Sequence, residues 1–219
     1  MYVPTAEEMA TALISIFKVL EGKGLIQNYH VIGSLSSDLK RNKNRNSWSI
    51  SINKSQPILF KKTKDEQDRE ITPRITAKKL EVDRTLEFPF VNWDIALEVL
   101  LTDQSPLARW HFDLCDPSQD SPRLHMQYGG RFGDHRSDDI PLKIPRWHSP
   151  VMDVILLAEI ITANFYPDIW REVRDGRNWC GSIHQSQMFC LKTYNDRMLD
   201  AMSRSSCTVL NEMWVDKWT

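Results

Sequence analysis

The chain has 219 residues, 41% of them hydrophobic and 26% charged, with a formal net charge of -1. That length and balance fit a folded domain with a real core, and they exclude a nucleic-acid binder driven by overall charge. The 4 cysteines, Cys115, Cys180, Cys190 and Cys207, show no Cys-x-x-Cys spacing, which argues against a zinc ribbon and for reduced thiols.

The first residues lack a basic stretch and carry Glu7 and Glu8, unlike a signal peptide. No apolar run reaches the roughly 18 residues that a spanning helix needs. The expectation is a cytoplasmic protein that contacts no membrane. Thr5 followed by acids predicts a helix N-terminus, and Met9, Leu13, Ile16, Phe17 and Leu20 recur at helical spacing. Gly22 and Gly24 end that helix.

Asp38 to Arg84 differs in composition, with 13 Lys and Arg against 7 Asp and Glu. "SWSISIN" alternates as a strand does, and "QPILFKK" reads as its partner. "LKRNKNRN" reads as a basic loop and "KKTKDEQDRE" as a mixed-charge one. Charged loops are commonly just solvated. The sharper reading is a phosphate-contacting surface built from Lys40, Arg41, Lys43, Arg45, Lys61, Lys62 and Lys64, which would bind DNA or RNA. Trp48 lies near enough to stack a base, but its place in an alternating strand favours the core.

Three segments of period two follow: "WDIALEVLL", "LARWHFDL" and "RLHMQY". They predict an antiparallel meander with one apolar face, turning at "DQSP" and "DPSQDSP". If the second hairpin closes about Gln119, His111 faces Gln127 and Asp113 faces His125. On the preceding strand, Glu98 then lies beside Arg109 and Asp94 beside Asp113. Parity puts Asp94, Glu98, Arg109, His111, Asp113, His125 and Gln127 on one face. Imidazole and carboxylate ligands suit a divalent ion, and an Asp–His pair suits an oriented general base. The plainer reading is a polar face whose groups pair with one another, so no metal is expected. His111, Asp113 and His125 remain the candidate catalytic or metal-ligating residues.

"RFGDHRSDDIPLKIPRWHSP" is irregular, with Pro141, Pro145 and Pro150 excluding a regular helix. Ser149 and Pro150 predict the start of the next helix, "VMDVILLAEIITANFYPDIW", which Pro167 breaks or restarts. Gln185 to Met202 carries apolar residues at helical spacing. The tail "TVLNEMWVDKW" predicts a short helix with Leu210, Met213, Trp214 and Trp218 on one side, a candidate partner-binding surface. The fold class is therefore α+β: an N-terminal helix, a largely antiparallel sheet and a C-terminal helical cluster packed on it. It is read as a single domain over 1–219, divisible into a sheet-rich part at 1–148 and a helical part at 149–219.

"WHFDL", "SPRLHMQYGG", "IPRWHSPVMDVILLAEIITANFYPDIW" and the terminal "CTVLNEMW" resemble a group of uncharacterised bacterial proteins. The resemblance covers about Trp110 to Trp170 and the tail. It implies a small accessory component of antiphage-defence or mobile-element loci, encoded beside a larger ATPase or nuclease. It supplies no catalytic assignment. No G-x-S-x-G, Walker A, H-E-x-x-H or Rossmann fingerprint is present, and no cofactor is expected. The expected function is a non-enzymatic accessory or adaptor subunit bound to larger proteins. The alternative is a metal-dependent nuclease or other hydrolase using His111, Asp113 and His125.

Overall fold

In the computed structural model, which describes residues 2–129 and 145–218, the first helix starts where the sequence sets it. In α1 (Ala6–Gly22) the Thr5 hydroxyl accepts from the Glu8 N–H at 3.1 Å, and the Glu8 carboxylate accepts from the Thr5 N–H at 2.7 Å. This reciprocal box satisfies two donors that a helix end otherwise leaves open. Met9, Leu13, Ile16, Phe17 and Leu20 are all buried. Gly24, at φ 68°, takes the left-handed turn that ends the element.

The sequence reading has no counterpart for α2 (His30–Arg41). Its N-cap, Tyr29, makes no side-chain bond, and Gly33 and three serines weaken helix propensity. Burial of Val31, Ile32, Leu35 and Leu39 holds it in place. Lys40 and Arg41 thus end a helix, and the basic loop begins only at Asn42.

Six strands run antiparallel in the order β1 (Ser47–Ile52), β4 (Glu70–Asp83), β5 (Phe90–Leu101), β6 (Pro106–Leu114), β7 (Leu124–Tyr128) and β8 (Trp147–His148). The short β2 (Ile58–Leu59) and β3 (Thr63–Lys64) continue β1 along the same edge of β4. "QPILFKK" therefore pairs with β4, not with β1 as the sequence suggests. The sequence also hides β4, whose 14 residues make it the longest strand. Pro73 lies inside it, where proline normally argues against a strand. It is tolerated because Phe60, which lies opposite and donates its N–H to the Pro73 carbonyl at 3.0 Å, has its own carbonyl taken by the Gln27 side-chain amide and needs no N–H from Pro73.

The C-terminal part divides into α3 (Val154–Phe165), α4 (Pro167–Val173), α5 (Arg177–Cys190), α6 (Lys192–Ser203) and α7 (Val209–Glu212), then a 3-10 turn at Val215–Lys217. Ser149 and Pro150 do not open α3. The buried Asp153 caps it instead, accepting from the Leu156 N–H at 2.8 Å. The Trp93 indole N–H donates to the Met152 carbonyl at 2.9 Å and ties the residues before α3 to β5. The run predicted from Gln185 to Met202 breaks at Leu191, between α5 and α6. Pro167 begins α4, the restart expected of it.

The helices cover one face of the sheet. Trp48, Phe90, Trp93 and Phe189 meet there, with ring centroids 5.0–5.9 Å apart. Trp48 belongs to this core, and its indole donates to the Pro4 carbonyl at 2.8 Å, so no base can stack on it. The architecture is α+β, with an antiparallel sheet flanked in sequence by helices.

Candidate functional site

The meander adopts the register that the turn chemistry implies. Glu98 pairs with Arg109, Asp94 with Asp113, His111 with Gln127 and Asp113 with His125. Phe112, Leu124 and Met126 point to the helices, where Phe112 and Leu124 are buried. The polar side chains share the other face.

On that face His111 sits between two carboxylates. Its Nε2 lies 2.9 Å from Asp94 Oδ1, and its Nδ1 lies 3.0 Å from Asp113 Oδ2. A carboxylate only accepts, so this placement favours a ring protonated on both nitrogens. Burial would push its pKa down, but the hydrogen bonds that the ring donates to Asp113 and Asp94 outweigh that and raise it. Burial also works against the Asp94 carboxylate, yet the bond and charge of His111 hold it below the usual range.

His125 is different. Its Nδ1 donates to the Pro122 carbonyl at 3.1 Å. Its side chain is 2% exposed, and its Nε2 stands 3.9 Å from Asp113 Oδ2 with no hydrogen-bond partner among the described residues. Burial lowers its pKa despite the nearby Asp113, so the ring is neutral. The sequence favours Asp113 and His125 as a covered pair. His125 is covered, but Asp113 is 22% exposed, and its direct contact goes to His111 and not to His125. His148, the strand neighbour of His125, turns away to place Nδ1 2.5 Å from the Tyr194 hydroxyl.

Glu98 lies further along the same face, fully buried. Arg74 Nε meets its Oε2 at 2.7 Å, and Arg109 Nε lies 3.3 Å from its Oε1. A cleft of about 440 Å³ adjoins, lined in part by Asn53, Lys54, Thr76, Lys78, Asp94 and Arg109. Asp94 thus links the histidine cluster to an opening edged by cations. Asp94 was legible through register. Lys54 and Lys78 were not, because their approach depends on the strand pairing of β1 with β4.

The seven basic candidates are exposed but do not form one surface. Lys64 pairs with Glu70 at one end of β4, whereas Ser47, just after Arg45, pairs with Asp83 at the other. Thirteen residues of strand separate the ends by about 40 Å. Lys62 and Lys64 are also spent on Glu70 and Asp68, at 2.6 and 2.7 Å, and Arg41 pairs with Asp38.

The tail candidates are also split. Met213 is 1% exposed, and its carbonyl accepts from the Arg123 N–H at 2.8 Å. Trp214 bridges to Pro122, and its indole donates to Asp120 Oδ1 at 2.6 Å. Trp218 lies under the Arg197 guanidinium at 4.4 Å and against Phe88 at 5.1 Å. These three residues close the domain on itself, leaving Leu210, 50% exposed, as the free one. Cys190 is buried as expected, while Cys180 is exposed.

Among the described residues, no helix is long and apolar enough to cross a membrane. Comparison of the chain with protein-family models, curated proteins and solved structures gave no match.

Proposed function

We propose that this protein is a non-enzymatic accessory subunit that binds a larger protein through its C-terminal helices. One observation carries the reading. Leu199 and Met202 on α6 and Leu210 on α7 are 60%, 65% and 50% exposed. Leu199 and Met202 lie three residues apart, so they share a helix face. The two helices pack on each other. Single exposed apolar residues are ordinary, but large ones grouped on adjoining helices suit a partner surface. Each would contribute about 1.5–3 kcal/mol if fully buried. The resemblance to proteins of antiphage-defence loci supplies the partner class: an ATPase or nuclease encoded nearby, in the cytoplasm.

The test is co-expression with the products of flanking genes, followed by size-exclusion chromatography with light scattering. A stoichiometric complex is expected. L199D combined with M202D should weaken it at least 10-fold, about 1.4 kcal/mol, with unchanged thermal stability because both side chains are exposed. A monomer in the presence of every flanking product counts decisively against this reading, as does a variant that binds as well as the parent.

A second reading, metal-dependent hydrolysis of a phosphodiester, is supported by the cations Lys54, Lys78 and Arg109 beside Asp94. It expects hydrolysis of single- or double-stranded nucleic acid that falls at least 100-fold in H111A and D113A. Equal rates in parent and variants would remove it.

A further inference from the structure

β4 breaks its alternation where it borders the cleft. Against β5, Ala77 faces Ile95 and Lys79 faces Asp94, and against β1, Leu80 faces Ile50 and Ala77 faces Ile52. β4 therefore holds one extra residue at Lys78–Lys79 in both pairings, a bulge of the kind that re-aims a side chain. Strict alternation from Ala77 would send Lys79 into the core and Leu80 out of it. The bulge resets the parity, so Ala77 and Leu80 are both buried while both lysines stay outside. Glu81 neutralises Lys79 at 2.7 Å. Lys78 makes no ion pair among the described residues and lines the cleft.

Lys54 meets it from the neighbouring strand. Asn53 holds the turn after β1: its Oδ1 accepts from the Ser55 N–H at 3.0 Å, and its carbonyl accepts from the Gln56 N–H at 2.9 Å. Lys54 occupies the second place of that turn, exposed and also without an ion pair among the described residues. Arg109, its Nε 3.3 Å from Glu98 Oε1, adds a third cation from β6. Three positive side chains thus border one cleft of about 440 Å³, the size of a small-molecule site. Their mutual repulsion is relieved by a bound anion.

The neutral lining is rich in donors: the Ser51 and Thr76 hydroxyls and the Asn53 amide. Thr76 is 4% exposed, and its hydroxyl makes no hydrogen bond within the described residues. A hydroxyl so deeply set ordinarily has a partner, and the cleft is where one can come from. Asp94 supplies the opposite polarity. Its Oδ1 is engaged by His111, which leaves Oδ2 to accept from a ligand hydroxyl. Cations, hydroxyl donors and one carboxylate together suit a ligand that carries both a phosphate and hydroxyl groups. Among the described residues lining the cleft none is aromatic, so it lacks the stacking platform that single-stranded nucleic acid uses.

We propose that this cleft binds a sugar phosphate, with Lys54, Lys78 and Arg109 holding the phosphate, Ser51 and Thr76 donating to its oxygens, and Asp94 accepting from a sugar hydroxyl. The site rests on neither the adaptor nor the hydrolase reading, and it requires no bond to be made or broken.

The experiment is calorimetric titration of the full chain with ribose 5-phosphate at low salt. One saturable site is expected, and ribose and inorganic phosphate should each bind at least 10-fold more weakly. That comparison needs no variant to fold. K54A combined with K78A should weaken ribose 5-phosphate at least 10-fold, about 1.4 kcal/mol, with an unchanged circular dichroism spectrum because both side chains are exposed. K43A combined with R45A removes as much charge near the other end of β1 and is expected to leave the affinity unchanged. Absence of saturable binding by ribose 5-phosphate would overturn the site, as would an equal loss in the two double variants. Inorganic phosphate binding as tightly as ribose 5-phosphate would reduce the cleft to a bare anion site and overturn the sugar assignment. A 5′-phosphorylated oligothymidine that displaces ribose 5-phosphate at lower concentration than ribose 5-phosphate itself would make nucleic acid the ligand and overturn it too.

Discussion

E98L is expected to destabilise the fold by about 3–5 kcal/mol, the cost of removing one partner from a buried ion pair. The Glu98 side chain is 0% exposed, and those of Arg74 and Arg109 are 17% and 10% exposed. Leucine fills nearly the same volume, so cavity formation is not the cause. The loss comes from the Arg74 guanidinium, left in a poorly solvated site without its carboxylate. That cause has a signature. R74M in the E98L background should recover at least half of the loss, because an apolar pair of similar volume needs no charge compensation. Urea unfolding followed by circular dichroism measures both. A single-variant loss under about 1 kcal/mol would show that the carboxylate contributes little in this place. So would a double variant no more stable than E98L.

This network shows where sequence reasoning reaches and where it stops. Glu98 and Arg109 were legible as neighbours, since strict alternation and Pro- and Asp-rich turns fix the register of β5, β6 and β7. A one-residue slip would have put Trp93 and Ile95 on the polar face. Arg74 was not legible. Its strand contains Pro73, Lys78 and Lys79, and its regularity comes from β1, β2, β3 and β5 pairing along it. Long-range pairing overrides local propensity there, as it does when core burial makes a helix of the serine-rich α2. The tail failed for a related reason. Its aromatic pattern is the same whether Met213 and Trp214 meet a partner or the turn at Ser121–Arg123, and only tertiary structure separates the two. At the histidine cluster the face was readable from parity. Which histidine is doubly bonded and which is left with a bare nitrogen depends on side-chain geometry that parity does not specify.

That difference between the histidines gives the second large effect. H111Q is expected to cost about 2–4 kcal/mol near pH 6 in chelator-treated protein. Two charge-assisted hydrogen bonds are lost, and partial exposure of both carboxylates reduces their worth. The cost should depend on pH with a definite sign. His111 has its pKa raised above the ordinary 6.5 in the folded state. Its contribution is therefore fully present below pH 6.5 and declines as pH rises through the folded value. Asp94 is shifted the other way from its ordinary 3.8, so its share is present above that pH and lost as pH falls through the lowered value. The difference in stability between parent and H111Q should thus be greatest between about pH 4 and 6.5 and shrink towards pH 9. His125 opposes this trend in the parent. Its pKa is lowered, so it favours folding above pH 6.5 and loses that contribution as pH falls. The parent's own stability curve mixes the two histidines, but the parent–variant difference largely cancels His125, which both proteins retain. Urea unfolding at pH 5.5, 7 and 9 reads that difference directly. A difference that is flat with pH, or that grows towards pH 9, would mean that His111 is not an imidazolium between two carboxylates.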